Sequence, residues 1–317
     1  PRAAAEAAAA ASPRARRAGA PMGALVSALA FPVPRLPFAF YNEELLRRDD
    51  LVWLYTSKRE KIPACHVKAS KRSVADKPPG EGLTILYSHG NAEDLGLHLP
   101  FIDALARATG ADVFSYEYVG YSLSRFANLS PDEDGCYRSI DAAWIYLTET
   151  LNIPANRIVV YGRSIGTGPS VDLVARTALK SGKAAAQPPR GALGLLLQSP
   201  LESAIRCALG YGSSLSMYPL DIFKNYEKIE AVVCKAAIIH GTSDNVVPCK
   251  GGVALHDALQ NPYEPCWLEG YGHNNMPYDR VFLYARCFLG ELNKVRRNAE
   301  REQGKPVVEL FQKAGAA

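Results

Sequence analysis

Three residue types in one order could do chemistry together: a glycine-bracketed serine, an aspartate beyond a later strand-like run, and a histidine in a still later loop. The serine is Ser164, in Ile158-Val159-Val160-Tyr161-Gly162-Arg163-Ser164-Ile165-Gly166-Thr167-Gly168. A β-branched run ending on Gly-x-Ser-x-Gly predicts a strand that turns sharply into a helix. Such a turn holds the hydroxyl out at the sheet's edge, with a backbone N–H of the helix start beside it. A serine hydroxyl attacks a carbonyl near neutral pH only when a base takes its proton. Of the six histidines, only His240, His256 and His273 follow Ser164. His240 closes the apolar run Ala236-Ala237-Ile238-Ile239 and is expected to pack at a strand end. His256 sits in a helical pattern. His273 lies in the glycine-bracketed loop Glu269-Gly270-Tyr271-Gly272-His273-Asn274, after the strand-like Pro265-Cys266-Trp267-Leu268, and is the expected base. Asp244, after Ile238-Ile239-His240-Gly241-Thr242-Ser243, is the expected acid, accepting the His273 Nδ1–H and fixing its tautomer. A turn aspartate capping its own backbone is the plainer reading of the same residue. Asp257 and Asp279 are weaker rivals, one in a helical pattern and one beyond His273.

An acyl-transfer site also needs two backbone donors for the developing oxyanion. Leu83-Thr84-Ile85-Leu86-Tyr87-Ser88-His89-Gly90-Asn91 supplies a second strand-then-glycine turn. The N–H groups of Asn91 and Ile165 are the predicted pair. His89 precedes the nucleophile and reads as a structural hydrogen-bonding residue.

The elements that position these residues recur as strand-then-helix units, which predicts one domain with a mostly parallel sheet flanked by helices. With 317 residues, 48% of them hydrophobic, the chain is long enough for one substantial core with tails. The first 40 residues form an N-terminal segment. Positions 1–21 are Ala/Arg-rich low complexity, and acid-poor enough to suit a transit peptide. Positions 22–40 are apolar but broken by Pro32, Pro34 and Pro37, too short and interrupted to span a bilayer. Met22-Gly23-Ala24-Leu25-Val26-Ser27 fits the N-myristoylation pattern at Gly23 if Met22 is the true start. The globular domain is expected over 41–295, with Leu51–Tyr55 as an early strand and 70–82 as a hairpin-type surface loop. A charged tail follows over 296–317, and Asn293 to Lys305 reads as a solvated terminal helix. The net charge of +4 owes much to Arg2, Arg14, Arg16 and Arg17 in the N-terminal segment. No basic stripe with interleaved aromatics suggests nucleic acid. Seven cysteines without a C-x-x-C pair read as reduced thiols, giving neither a disulfide frame nor metal-ligand spacing.

Seven blocks in this order carry a resemblance: Ser88-His89-Gly90-Asn91-Ala92-Glu93-Asp94-Leu95-Gly96, Phe114–Tyr121, Ile140-Asp141-Ala142-Ala143-Trp144, Tyr161-Gly162-Arg163-Ser164-Ile165-Gly166, Gln198-Ser199-Pro200-Leu201, Ile239–Asp244 and Glu269–Asn274. From about Leu83 to about Leu292 the chain resembles the alpha/beta-hydrolase-domain-17 family of serine hydrolases, whose members remove palmitate from protein cysteines. The resemblance implies an α/β-hydrolase fold with a short cap, no cofactor and no metal, and a palmitoyl-protein thioesterase activity. It implies Ser164, Asp244 and His273 as the triad, and Asn91 and Ile165 as the oxyanion donors. S-acylated proteins or other acyl esters would be the substrates, met by peripheral contact at the cytoplasmic face of a membrane. Three features depart from the family pattern: no cysteine precedes Cys65, a Lys/Ala/Pro-rich insert fills 179–190, and the cap stretch 204–224 differs.

The cap stretch carries apolar residues that suit an acyl pocket above the nucleophile: Leu209, Leu215, Met217, Tyr218 and Phe223. The same residues would serve equally as core contacts of cap helices. Two other functions stay open, a non-catalytic binding protein on this fold and a peptidase or general esterase.

Overall fold

The computed structural model describes residues 31–69, 80–179, 191–209 and 221–303. Eight strands form one sheet: β1 (Leu51–Tyr55), β2 (Lys61–Val67), β3 (Thr84–Ser88), β4 (Asp112–Tyr116), β5 (Ile158–Arg163), β6 (Gly194–Gln198), β7 (Lys235–Gly241) and β8 (Cys266–Leu268). Their spatial order is β1-β2-β4-β3-β5-β6-β7-β8. The pairings β1–β2 and β2–β4 are antiparallel and the remaining five are parallel. Antiparallel strands at one edge of a parallel sheet make a mixed sheet, common in large α/β proteins.

The central strands are largely apolar because helices cover both faces, and their side chains alternate between two cores. Leu86, Phe114, Val160 and Ile238 point to one face, where α3 (Glu133–Ile145) and α4 (Thr167–Leu179) pack. Ile85, Tyr87, Val113, Val159 and Tyr161 point to the other, against α2 (Leu95–Thr109) and α8 (Tyr278–Gln303). Local signals set the helix ends. Asp94 caps α2 by accepting from the Leu97 N–H at 3.0 Å, and Gly110 ends it at φ 71°. Asp132 caps α3 through the Gly135 N–H at 2.6 Å. The shorter helices are α1 (Phe38–Glu44), α5 (Ala204–Leu209), α6 (Asn225–Lys228) and α7 (Cys249–Asp257).

Three sequence expectations change here. The connection over 70–82 joins no hairpin, since β2 and β3 are separated by β4 and pair with it from opposite sides. The terminal helix begins at Tyr278, so a boundary at 295/296 falls inside one 26-residue helix. Its later turns also pack: Leu292, Asn293 and Arg296 are buried, because the apolar stripe at 285, 288, 289 and 292 keeps the helix on the sheet. At the other end Phe31 is already core, lying edge-on to Phe223, so the folded body starts before position 41. The suggested Gly23 lipidation site and the 179–190 insert (beyond the backbone of Leu179) lie outside the described residues.

Candidate active site

β5 delivers Ser164 into a tight turn, Ser164–Gly166, that leads directly into α4. Ser164 itself has φ 53°, a left-handed backbone that a non-glycine residue holds only when its surroundings enforce it. The two motif glycines enforce it by close approach. A Cβ on Gly162 would lie 2.6 Å from the Gly166 carbonyl oxygen, and one on Gly166 would lie 2.3 Å from the Ser88 carbonyl oxygen. The Thr167 hydroxyl donates to the Ser164 carbonyl at 2.7 Å and seals the turn.

His273 and Asp244, 109 and 29 residues away from their partners in the chain, meet Ser164 at the carboxyl ends of the strands. The His273 Nδ1–H donates to Asp244 Oδ2 at 2.7 Å, and its Nε2 lies 3.0 Å from Ser164 Oγ. With Nδ1 committed to a carboxylate, Nε2 is left as the acceptor for the serine proton. Ser164, Asp244 and His273 are all buried.

Asp244 combines the two roles weighed for it. Its Oδ1 accepts from the Val246 and Val247 N–H groups at 2.9 and 2.8 Å, capping its own turn, while Oδ2 faces His273. Burial alone would raise its pKa. Hydrogen bonds from His240, His273 and the Val247 N–H outweigh that and hold the carboxyl well below the usual carboxylate range. His240 is the residue whose part the sequence did not disclose. It packs in β7 as expected, but its Nε2 lies 2.9 Å from the Val247 carbonyl and 3.3 Å from Asp244 Oδ2. A Cβ on Gly252 would sit 2.4 Å from His240 Nδ1, so that glycine makes room for the ring. The His-Gly-x-x-Asp spacing was the available signal.

β3 and β5 are parallel neighbours with Ser88 opposite Gly162, so the turns carrying Asn91 and Ile165 leave the same end of the sheet side by side. Asn91 follows the β3 turn, and Ile165 follows Ser164. Tyr121 fixes the Asn91 side chain by donating to its Oδ1 at 2.9 Å. His89 is buried, its ring nitrogens 2.8 Å from the Gly90 carbonyl and 2.9 Å from Glu117 Oε1. It supports the loop, as its position before the nucleophile suggested.

A second feature lies outside the motif glycines and triad. Arg163 points to the α2/α8 face, where its guanidinium pairs with Glu93 and donates to Asn274 Oδ1 at 3.0 Å. Glu93 in turn accepts from the Gly90 N–H at 3.3 Å. One side chain therefore ties the serine turn to the loop carrying Asn91 and to the loop carrying His273. Below it lies a cavity of about 370 Å³, walled by His273, Leu97, Phe101, Met276 and Tyr278.

The predicted acyl pocket fares differently. Phe223 is fully buried, packed on Gly168 with Tyr137 and Phe31 edge-on, and does not line that cavity. Its N–H donates to Glu133 Oε1 at 2.6 Å, which draws it into the core. Leu215, Met217, Tyr218 and the side chain of Leu209 lie outside the described residues.

Comparison with known proteins decides the family. The chain is 35% identical over 268 residues to alpha/beta hydrolase domain-containing protein 17B of Xenopus tropicalis, covering 80% of this chain and 86% of that protein. It is 38% identical over 221 residues to the human 17B protein, covering 70% and 68%. This chain belongs to the alpha/beta hydrolase domain-containing protein 17 family. No protein-family model matches it. Solved structures carry the fold of this family member at low identity. A propionate-bound thermophilic esterase from Thermogutta terrifontis superposes with a TM-score of 0.56 at 19% identity, over 77% of this chain and 95% of that one. A puromycin-hydrolysing peptidase from Mycobacterium tuberculosis gives 0.57 at 14%, over 76% and 40%. The family member thus has the α/β-hydrolase fold.

Proposed function

We propose that this chain is a serine hydrolase of acyl thioesters and esters, acting on S-palmitoylated proteins. The observation that carries this reading is the unbroken hydrogen-bond line from Ser164 Oγ through His273 to Asp244 Oδ2, at 3.0 and 2.7 Å. In this reaction His273 Nε2 takes the serine proton while Oγ attacks the acyl carbonyl. Asp244 stabilises the imidazolium that forms. The Asn91 and Ile165 N–H groups receive the oxyanion, a contribution for which losing one donor typically costs about 100- to 1,000-fold in rate. His273 then returns the proton to the departing cysteine thiolate, leaving an acyl-serine. Water, deprotonated by His273, releases the fatty acid and restores Ser164.

Thioester rather than amide cleavage is supported by membership of the 17B-like family together with the resemblance drawn from the motif blocks. Substrates of this kind sit at membranes, and we propose peripheral contact at the cytoplasmic face. Among the described residues no helix is long and apolar enough to cross a bilayer. A fluorophosphonate probe is expected to label the wild type and not Ser164→Ala, and the wild type to release palmitate from an S-palmitoylated peptide. Equal labelling of both proteins would sink the serine assignment, and labelling without palmitate release would restrict the reading to a general esterase or peptidase.

A further inference from the structure

The cavity beside His273 has a composition that the triad does not explain. It lies on the α2/α8 face of the sheet and holds about 370 Å³, within the roughly 300–1,000 Å³ of ligand sites. Part of its wall is aromatic and aliphatic and well buried: Phe101, Met276 and Tyr87 are each under a tenth exposed. At the rim stand Leu97 and Tyr278, large side chains that are 43% and 61% exposed. Leaving such surface in water is unfavourable, at roughly 25 cal/mol per Å². The charged wall residues neutralise one another, because Arg163 is paired with Glu93 and also holds Asn274. The Gln198 side-chain Oε1 accepts from the Tyr161 hydroxyl at 2.7 Å. Burial keeps the His98 ring neutral, its pKa lowered well below the usual histidine range. The walls therefore favour an uncharged, apolar occupant.

We propose that this cavity receives the acyl chain of the substrate, a single hydrocarbon tail entering between Leu97 and Tyr278, with its carbonyl carbon at Ser164. The assignment rests on the acyl-transfer reading of the same site. Adjacency supports it, since the His273 ring that accepts from Ser164 Oγ also forms part of the cavity wall. Size separates the two halves of the substrate. A polypeptide leaving group is far too large for this volume and stays outside, whereas an alkyl chain fits. The Arg163–Glu93 pair then lies along the chain's path near its carbonyl end, where a polar group costs least.

The test compares hexadecanoyl with acetyl thioesters in the full chain. Leu97→Trp, a rim change at an exposed position, and Met276→Trp, a change at depth, both fill the cavity. Each is expected to lower the ratio of kcat/KM for the long over the short acyl group by about tenfold, less than the loss of two buried methylenes would supply. A ratio within twofold of wild type in both variants overturns the proposal. A wild type that turns over neither thioester would count against the proposed function instead. Binding of a fluorescent polyene fatty acid to Ser164→Ala then decides the cavity by itself. Weakening of at least about fivefold by an added Leu97→Trp supports it, and unchanged binding overturns it.

Discussion

At the scale of single residues, the site depends on groups that neither attack the acyl carbon nor carry the transferred proton. Asp244 is saturated by four donors: two backbone N–H groups, His273 and His240. Hydrogen bonds to a charged group are worth about 1.5–3 kcal/mol each, so the carboxylate is held both ionised and still. Arg163 does the corresponding work for the loops, linking Ser164, Asn91 and His273 through Glu93 and Asn274. Its side chain is only 15% exposed, so the pair is better shielded than a surface ion pair. Arg163→Met is expected to lower kcat by about 10- to 100-fold, since misplacing reacting groups by about 1 Å costs rate on that order. KM for a short acyl ester should move less than threefold. Arg163→Lys keeps one contact of the fork and should fall between the two. Stopped-flow or steady-state kinetics on an acetyl ester checks this, and a change confined to KM would remove the positioning role.

At the scale of elements, the serine turn and α4 are packed so closely that small residues are obligatory. A Cβ on Gly168, in the first turn of α4, would lie 2.2 and 2.7 Å from Phe223 ring atoms. Phe223 has nowhere to go, because Phe31 and Tyr137 stand edge-on to it at 6.1 and 5.8 Å and it is fully buried. Two effects compete in Gly168→Ala. Helix propensity favours alanine by about 1 kcal/mol, while overpacking a filled core costs about 1–3 kcal/mol. With contacts this tight the steric term wins, and we expect a net loss of up to about 2 kcal/mol in urea unfolding. A stabilised variant would mean that Phe223 yields more easily than its burial implies. The same contact explains why Phe223, which the sequence placed in an acyl pocket, is a core residue.

At the scale of the whole molecule, burial of histidines couples stability to pH. Burial and the Lys68 charge push the His66 pKa down to about 4, and burial also lowers that of His98 well below the usual histidine range. Lys68 Nζ donates to His66 Nε2 at 3.0 Å, which suits the neutral ring. Because the folded pKa lies below the unfolded value of about 6.5, the unfolded chain binds protons first as pH falls. Stability is therefore full above about pH 6.5 and is lost progressively down to about pH 4. For His66 the loss between pH 7 and pH 5 is roughly 2 kcal/mol. Asp94 acts in the opposite direction: burial and the nearby Glu117 raise its pKa, so the folded state gains protons there as pH falls. Urea midpoints at pH 7 and pH 5 should show a net fall, reduced in His66→Gln. An equal fall in that variant would assign the effect elsewhere.

Much of this protein was legible in its sequence for physical reasons. A β-branched run into Gly162-Arg163-Ser164-Ile165-Gly166 predicts a strand, a tight turn and a helix start, and the fold shows why the second glycine is there, since a Cβ on Gly166 would meet the Ser88 carbonyl. Strands buried on both faces read as apolar runs, so the sheet was legible from local composition, and Asp244 and His273 stood out as loop residues after such runs in the chain order of α/β-hydrolases. The β2–β4–β3 arrangement did not follow, since no local signal distinguishes a hairpin from a connection that crosses a neighbouring strand. Nor did the contacts between distant loops: Arg163 with Glu93 and Asn274, His240 with Asp244, and the cavity under Leu97 and Tyr278. Periodicity tells a side chain which face to bury, but not which partner waits there. Phe223 shows the same limit, because an apolar residue lines a pocket or fills a core according to neighbours 55 to 192 residues away, and those only the folded chain brings together.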